Sequence, residues 1–234
     1  MTLLTAIQWC QRQLSLPVTS AIVGDAQESQ QLLLSLAQEE IEELAARHDW
    51  PELRTSHTFT ASVAELQATG LPADFDRMVP ESFWNRTRDW RIRGPVDSRF
   101  YQAHQAVPQT GSALDPKWIR RSDGIHILPA PTATDSMGYD YIKNTPVTSS
   151  LSVAQTNFQA DNDICLLGDD LLKRGVRWRY LAQKGMDYAE HMKTYERWVQ
   201  NRVNAKTGTG EIDITQSGRW RDPIGTIPEG DWPG

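Results

Sequence analysis

The chain has 234 residues, 39% of them apolar and 23% charged, which is enough to bury a core without disulfide or metal staples and argues against wholesale disorder. Thirty acidic against 24 basic residues leave a formal charge of −6, a balance that disfavours broad binding to a phosphate backbone. Cys10 and Cys165 are the only cysteines; they fit neither a zinc spacing nor a secreted disulfide framework, and imply a reducing compartment.

The first residues carry no basic n-region and their apolar positions are spaced, so they do not read as a signal peptide; no window approaches the ~20 apolar residues of a membrane span. Thr2 can cap a first helix that puts Leu3, Ile7, Cys10 and Leu14 on one face and stops at Pro17. Asp25 followed by Glu28 predicts a capping box for a second helix, whose stripe is Leu33, Ala37, Ile41, Leu44 and His48 and whose end is Trp50-Pro51. Gln38, Glu39, Glu42 and Glu43 lie mostly off that stripe.

Leu53 to Thr60 reads as a strand, and short strands follow at Phe75 to Val79 and Asp89 to Arg93. Gly94-Pro95 breaks the chain before a helix from Val96 to Val107. Trp118 to Arg121 and Ile125 to Leu128 flank Ser122-Asp123-Gly124, a hairpin signal, and Met137, Tyr139 and Tyr141 alternate on a further strand. Residues 145–163 are polar and read as a linking loop.

From Gly168 to Ala205 the spacing of three or four through Leu172, Val176 and Trp178, then Gly185, Tyr188, Met192, Tyr195, Val199 and Val203, predicts one long helix. At ~1.5 Å per residue it would be on the order of 55 Å long, projecting as a rod or packing on neighbouring subunits. The last stretch holds six glycines and three prolines, which exclude a packed helix, yet Ile212, Ile214, Trp220, Ile224, Ile227 and Trp232 give it the apolar anchors of an arm that docks on a partner. The predicted class is therefore α+β. Residues 1–52 and 164–206 supply a helical bundle with one long C-terminal helix, 53–163 an inserted small antiparallel β domain with one helix, and 207–234 an extended C-terminal arm.

Chemistry is sparse. Asp161-Asn162-Asp163, with Asp169-Asp170 nearby, lacks the glycine and distal Glu of a calcium loop and reads as capping for the helix that follows. His48, His57, His104, His126 and His191 are scattered singly, and no phosphate-cradling glycine loop, nucleophile elbow or distinguished carboxylate pair is present. No catalytic residue, metal or cofactor is expected. Arg86, Arg88, Arg91 and Arg93 gather around Trp84 and Trp90, and Lys173, Arg174, Arg177 and Arg179 around Trp178. Arginine interleaved with tryptophan can mark single-strand binding, but the acidic total favours protein interfaces. The strand period would put Arg91 and Arg93 on one face. The candidates for intersubunit or tail-facing contact are Trp84, Trp90, Arg91, Arg93, Trp178, Tyr188, Tyr195 and Trp198.

Taken together, Leu71-Pro72-Ala73-Asp74-Phe75-Asp76-Arg77, Asp89-Trp90-Arg91-Ile92-Arg93-Gly94, the hairpin with Ile125 and Pro129, and Phe158 to Asp163 running into the long helix resemble the head-to-tail adaptor, or neck, proteins of podoviruses. This group includes tail tubular protein A, and the resemblance covers most of residues 1–205. It implies a non-enzymatic virion protein, made in the host cytoplasm, that forms a homo-oligomeric ring of twelve under the portal. It also implies contact with the tail nozzle, no membrane association, and double-stranded DNA passing through the channel without sequence-specific binding. The arm would reach onto the portal through Trp220, Ile224, Ile227 and Trp232, while Asp74, Phe75, Arg77, Trp84 and Trp90 would shape the β region towards the nozzle. The competing readings are a stopper or nozzle, a virion-associated hydrolase and a DNA-binding packaging factor.

Overall fold

A computed structural model describes residues 1–107, 116–132 and 134–206 of the chain. Its helices are α1 (Leu3–Gln13), α2 (Glu28–Arg47), α3 (Ser98–Ala106), α4 (Asp169–Gln183) and α5 (Ala189–Lys206). The strands are β1 (Arg54–Thr60), β2 (Leu66–Gln67), β3 (Phe75–Met78), β4 (Trp84–Asn85), β5 (Trp90–Arg91), β6 (Lys117–Arg121), β7 (Gly124–Leu128), β8 (Ser136–Lys143), β9 (Val147–Thr148), β10 (Ala154–Gln155) and β11 (Ile164–Cys165). Met1–Arg54 and residues 143–206 form one unit, and Thr55–Ile142 the other, so the chain is mixed α+β with the second unit inserted into the first.

In the helical unit, α1 is capped as its sequence predicts: Thr2 Oγ1 accepts from the Thr5 N–H at 3.4 Å, and Leu3, Ala6, Ile7 and Cys10 are buried. The free N–H groups of Leu3 and Leu4 donate to the carbonyls of Asp163 and Asp161, at 2.8 and 3.1 Å. The Asp161-Asn162-Asp163 run thus caps α1 rather than the helix that follows it. Its side chains are consumed locally: Asp161 Oδ1 accepts from Ile22 and Val23 at 3.0 and 2.8 Å, and Asp163 Oδ2 from Gln159 and Ala160 at 2.7 and 2.8 Å. Thr2 also bridges to Ile164, and Gln38 Nε2 donates to the Phe158 carbonyl. These ties place residues 143–163 and the small antiparallel sheet β10–β9–β11 in the helical unit, not in the β domain expected to reach residue 163.

The second helix starts later than the capping box implies. Asp25 Oδ1 accepts from the Gln27 N–H at 2.9 Å and closes a local turn, leaving Gln27 as the N-cap and Glu28 as the first helical residue. The stripe Leu33, Ala37, Ile41 and Leu44 is buried, and Leu36 joins it. Beyond the helix, Trp50 is 1% exposed and its Nε1 donates to the Leu44 carbonyl at 2.6 Å, satisfying one of the orphan acceptors of the last turn.

The rod expected from 168 to 205 is two helices. Gly185 takes φ +67°, its N–H bonds the Ala182 carbonyl at 3.1 Å, and the Met186 N–H bonds the Leu181 carbonyl at 2.9 Å. This pair of bonds ends a helix by reversing its last turn, and glycine is the residue that adopts the required backbone without strain. The spacing of three or four continues through the break by coincidence of phase, so periodicity alone does not reveal it. The later helix, α5, still gives the chain a long C-terminal helix of 18 residues.

Helix α4 is the centre of the unit, packing on α1, α2 and α5. Gly175 faces α2, and a Cβ there would fall inside the Glu40 carboxylate. Glu40 is fully buried, and its Oε2 accepts from Arg179 Nε at 2.7 Å. The same guanidinium reaches Glu39 Oε1 through Nη1 at 2.6 Å and Glu43 through Nη2. Burial pushes the Glu40 carboxyl up to about 7, with Arg179 and the buried Tyr195 hydroxyl opposing. A second buried polar link joins α1 to α2, where Gln11 Nε2 donates to Gln30 Oε1 at 2.9 Å.

In the β unit, one sheet runs β1–β8–β4–β5 with β3 also paired to β8, and the other runs β2–β7–β6. Their side chains meet in one core that includes Phe59, Phe83, Trp118, Ile125, Ile127 and Tyr139. The β6–β7 hairpin forms at the predicted place, in register from Lys117 opposite Leu128 to Arg121 opposite Gly124. The expected strand from Asp89 to Arg93 shrinks to Trp90–Arg91, because Asp89 turns at φ +54° and Arg93 leaves to bridge Lys117 in parallel. No helix of the described residues is long and apolar enough to cross a membrane.

Two outcomes follow from the α2–α4 contact. Gly175→Ala, a change that usually stabilises a helix by up to ~1 kcal/mol, is expected here to lower unfolding free energy by roughly 2–4 kcal/mol in urea melts, because Glu40 cannot move without breaking its pair. Glu40 binds a proton more tightly folded, near 7, than at its ordinary 4.5, so its contribution is fully present below about 4.5 and is lost as pH rises through about 7. Wild-type urea stability should therefore decline across that window by on the order of 3 kcal/mol relative to Glu40→Gln, whose profile lacks the decline.

Candidate functional site

Among the described residues, those singled out by sequence fall in both units. In the β unit, the short antiparallel pair β4–β5 sets Trp84 opposite Arg91 and Asn85 opposite Trp90. Trp84, Trp90 and Arg91 are half-buried and Arg93 is exposed. Arg91 pairs with Glu81 at 3.4 Å, and Arg88 pairs with Asp135 at 2.9 Å while lying 5.6 Å from the Trp90 ring centre. Asp135 is buried and also accepts from Asn85 Nδ2 at 2.8 Å. Arg86 lies flat against Gly138, where a Cβ would displace it. Arg88 and Arg91 are thus committed to carboxylates of their own unit, and the cluster is not a bare cationic stripe of the kind a phosphate backbone selects. The cavity beside Asn85, Arg88, Trp90 and Asp135 holds ≈ 40 Å³, room for little beyond water.

The segment Leu71 to Arg77 is tied into the aromatic core next to this surface. Tyr141 donates to Asp74 Oδ1 at 2.7 Å, and Phe75 stacks on Tyr141 with ring centres 5.7 Å apart. Arg120 covers the other part of Phe75 at 4.9 Å and donates to the Asp76 carbonyl at 3.1 Å, while Arg77 pairs with Asp76 at 2.5 Å. Tyr139 donates to the Gly70 carbonyl at the start of the same segment. Burial, then the bond to Asp74, drives the Tyr141 hydroxyl well above its ordinary range, so it is a fixed donor rather than an acid.

In the helical unit, α4, α5 and the connection between them bring Trp178, Tyr188 and Tyr195 together, with ring centres 6.4 Å apart for Trp178 and Tyr188 and 6.1 Å for Trp178 and Tyr195. Arg174 stacks over Trp198 at 4.3 Å, and Arg179 over Trp178 at 4.8 Å. Tyr188 and Trp198 are 41% and 40% exposed, and Met186 and Met192 stand out beside them. Tyr195 was expected on an intersubunit face, but it is 1% exposed and closes the core over Glu40. Its phase on α5 points inward, whereas Tyr188 and Trp198 lie at the rim. Ile212, Ile214, Trp220, Ile224, Ile227 and Trp232 lie outside the described residues.

Neither cysteine is poised for chemistry. Burial pushes Cys10 up to about 12 and Cys165 up to about 11, and Cys10 Sγ donates to the Lys173 carbonyl at 3.1 Å. Among the described residues no group of three or more His, Cys, Asp or Glu side chains could hold a metal ion. Sequence reasoning passed over Glu40, Asp135 and the contacts of His126. A signal existed for the first: Glu40 falls in phase with Leu36, Ala37 and Leu44, and a charge on an apolar stripe needs a buried partner. No protein-family model and no curated protein matches the chain.

The Asp74–Tyr141 bond gives a direct check. Tyr141→Phe leaves the ring stack but strips Asp74 of its donor, and equilibrium unfolding should show a loss of about 1–2 kcal/mol with the fold retained by circular dichroism.

Proposed function

We propose that this protein is a structural head-to-tail adaptor of a short-tailed phage particle, a ring component that joins the portal to the tail nozzle and lines the channel through which DNA passes. The observation that carries the reading is the layout of the described residues: a helical unit made from Met1–Arg54 and residues 143–206, with a β unit inserted between Arg54 and Lys143. That is the arrangement the resemblance to podovirus neck proteins implies. The signature segment Leu71 to Arg77 fits it too, since its polar groups serve as fixtures of an aromatic core and leave a rigid β unit to present to a partner.

Assembly of such a ring rests on protein contacts. The exposed Tyr188, just before α5, and Met192 and Trp198 on it supply apolar area of the kind interfaces use, and the paired arginines of the β4–β5 surface supply specificity. The acidic total lets DNA slide past rather than adhere. Twelve copies are the stoichiometry proposed, matching a dodecameric portal, with Ile212, Ile214, Trp220, Ile224, Ile227 and Trp232 as the portal-binding anchors.

Removing residues 207–234 tests the reading. The truncated protein is expected to fold with unchanged circular dichroism and to lose attachment to portal-bearing heads in a sedimentation assay. Undiminished attachment would overturn the assignment of those anchors, and failure of the intact protein to bind heads at all would overturn the adaptor.

A further inference from the structure

The basic side chains of α4 and α5 are not all matched alike. Lys173 pairs with Asp170 at 2.5 Å, Arg179 with Glu39, Glu40 and Glu43, and Arg202 with Glu52 at 3.4 Å. Arg174 and Arg177 pair with no carboxylate among the described residues. Both are half-buried, and the Nε–H of each is buried without an acceptor. An unmade bond at a charged donor is costly, so a folded chain ordinarily supplies a partner. With 30 acidic residues in the chain, the mismatch is not a shortage of carboxylates.

Standing three residues apart, the two arginines are neighbours on one face of α4. Both reach towards α5. The Arg174 guanidinium lies over the Trp198 ring, 4.3 Å from its centre, and Arg177 Nη2 meets His191 Nε2 at 3.5 Å. His191 and Trp198 are seven residues apart, two turns along the same side of α5. Neither gives an arginine what it lacks. A ring face attracts the charge of Arg174 but offers no oxygen to its N–H groups. An arginine only donates, so the imidazole nitrogen accepts from Arg177; that contact lies at the outer limit of a hydrogen bond and brings no negative charge.

We propose that this seam of α4 and α5 is an oxyanion site, in which Arg174 and Arg177 together hold one carboxylate or phosphate group while Trp198 and His191 keep the two guanidinium groups beside one another. Neighbouring guanidinium groups repel unless an anion lies between them, and a carboxylate or phosphate has the two or more oxygens that their forks match. Because both side chains are only half-buried, rotation about their terminal torsions turns the Nε–H edges to an arriving oxygen. The oxyanion comes as a free ion or on an acidic side chain of a second copy, and the site stands independently of the adaptor reading.

The test is a titration of the dilute full chain with inorganic phosphate at constant ionic strength, balanced by chloride, following the Nε–H resonances of Arg174 and Arg177 and the indole N–H of Trp198. All three should move together and saturate in the millimolar range or below. Arg174→Gln and Arg177→Gln should each weaken phosphate by roughly 10- to 100-fold, the range set by one hydrogen bond to a charged group, whereas Arg202→Gln, which removes a paired charge of α5, should leave its affinity unchanged. If raising the protein concentration moves the same resonances without phosphate, and phosphate then lowers the mass found by sedimentation equilibrium, the oxyanion belongs to a second copy. Saturable phosphate binding by a chain that stays monomeric assigns it to a free ion. The site is overturned if the wild-type resonances drift without saturating or respond equally to chloride alone, or if both arginine variants, folded by circular dichroism, bind phosphate as the wild type does.

Discussion

The helical unit is organised around a charge that could not be buried without Gly175. Glu40 enters α4 at the one place where that helix has no side chain, and Arg179, one turn further along α4, closes over it. The pair fixes how far α2 can slide along α4, because moving either helix by a residue would set the carboxylate against a Cβ and leave the guanidinium with only the exposed Glu39 and Glu43. Apolar packing between two helices tolerates such slips, whereas a buried ion pair does not. Arg179 also lies over Trp178, and Tyr195 of α5 faces Glu40, so the same few atoms set the position of α5 on α4. A carboxyl pushed up to about 7 by burial is part of the cost of that specificity.

The β unit solves a different problem. Its core is dominated by rings with polar tips, and each tip needs a partner in a dry place. Tyr139 finds the Gly70 carbonyl and Tyr141 finds Asp74, so the segment between Gly70 and Arg77 is held by hydroxyls reaching out from β8. The arginines around Trp84 and Trp90 obey the same economy, with Asp135 and Glu81 balancing Arg88 and Arg91. What reads in one dimension as a basic–aromatic patch is in three dimensions a surface on which Arg88 and Arg91 are each matched by a carboxylate.

Much of this was legible along the chain. The Thr2 cap, the stripe from Leu33 to Leu44, the Trp50-Pro51 stop and the Ser122-Asp123-Gly124 hairpin are local signals, and each produced its element. The failures are non-local. Gly185 reverses the chain although the apolar phase runs on, because a helix and a helical hairpin can share one spacing. Residues 143–163 join the helical unit through carbonyl and bridge contacts to Thr2, Leu3 and Leu4, which no composition reveals. Asp163 and Asp161 do cap, but a helix some 160 positions earlier in sequence, as the bonds from Leu3 and Leu4 make plain. Of the residues singled out on the α4–α5 pair, Tyr188 and Trp198 are exposed, whereas the inward turn of Tyr195 depends on which side of α5 meets α4.

The reversal at Gly185 also governs the order in which contacts can be made. Five residues separate α4 from α5, so the two can close on one another at small entropic cost as soon as both exist. The contact of α2 with α4 must instead wait for the whole inserted unit to be synthesised and for its ends to be drawn together. Until then α1 and α2 carry their apolar stripes uncovered, with Glu40 still in water. The β unit, by bringing Arg54 and Lys143 onto neighbouring strands, acts as the device that shortens this wait: once it folds, the long loop between the halves of the helical unit is already closed.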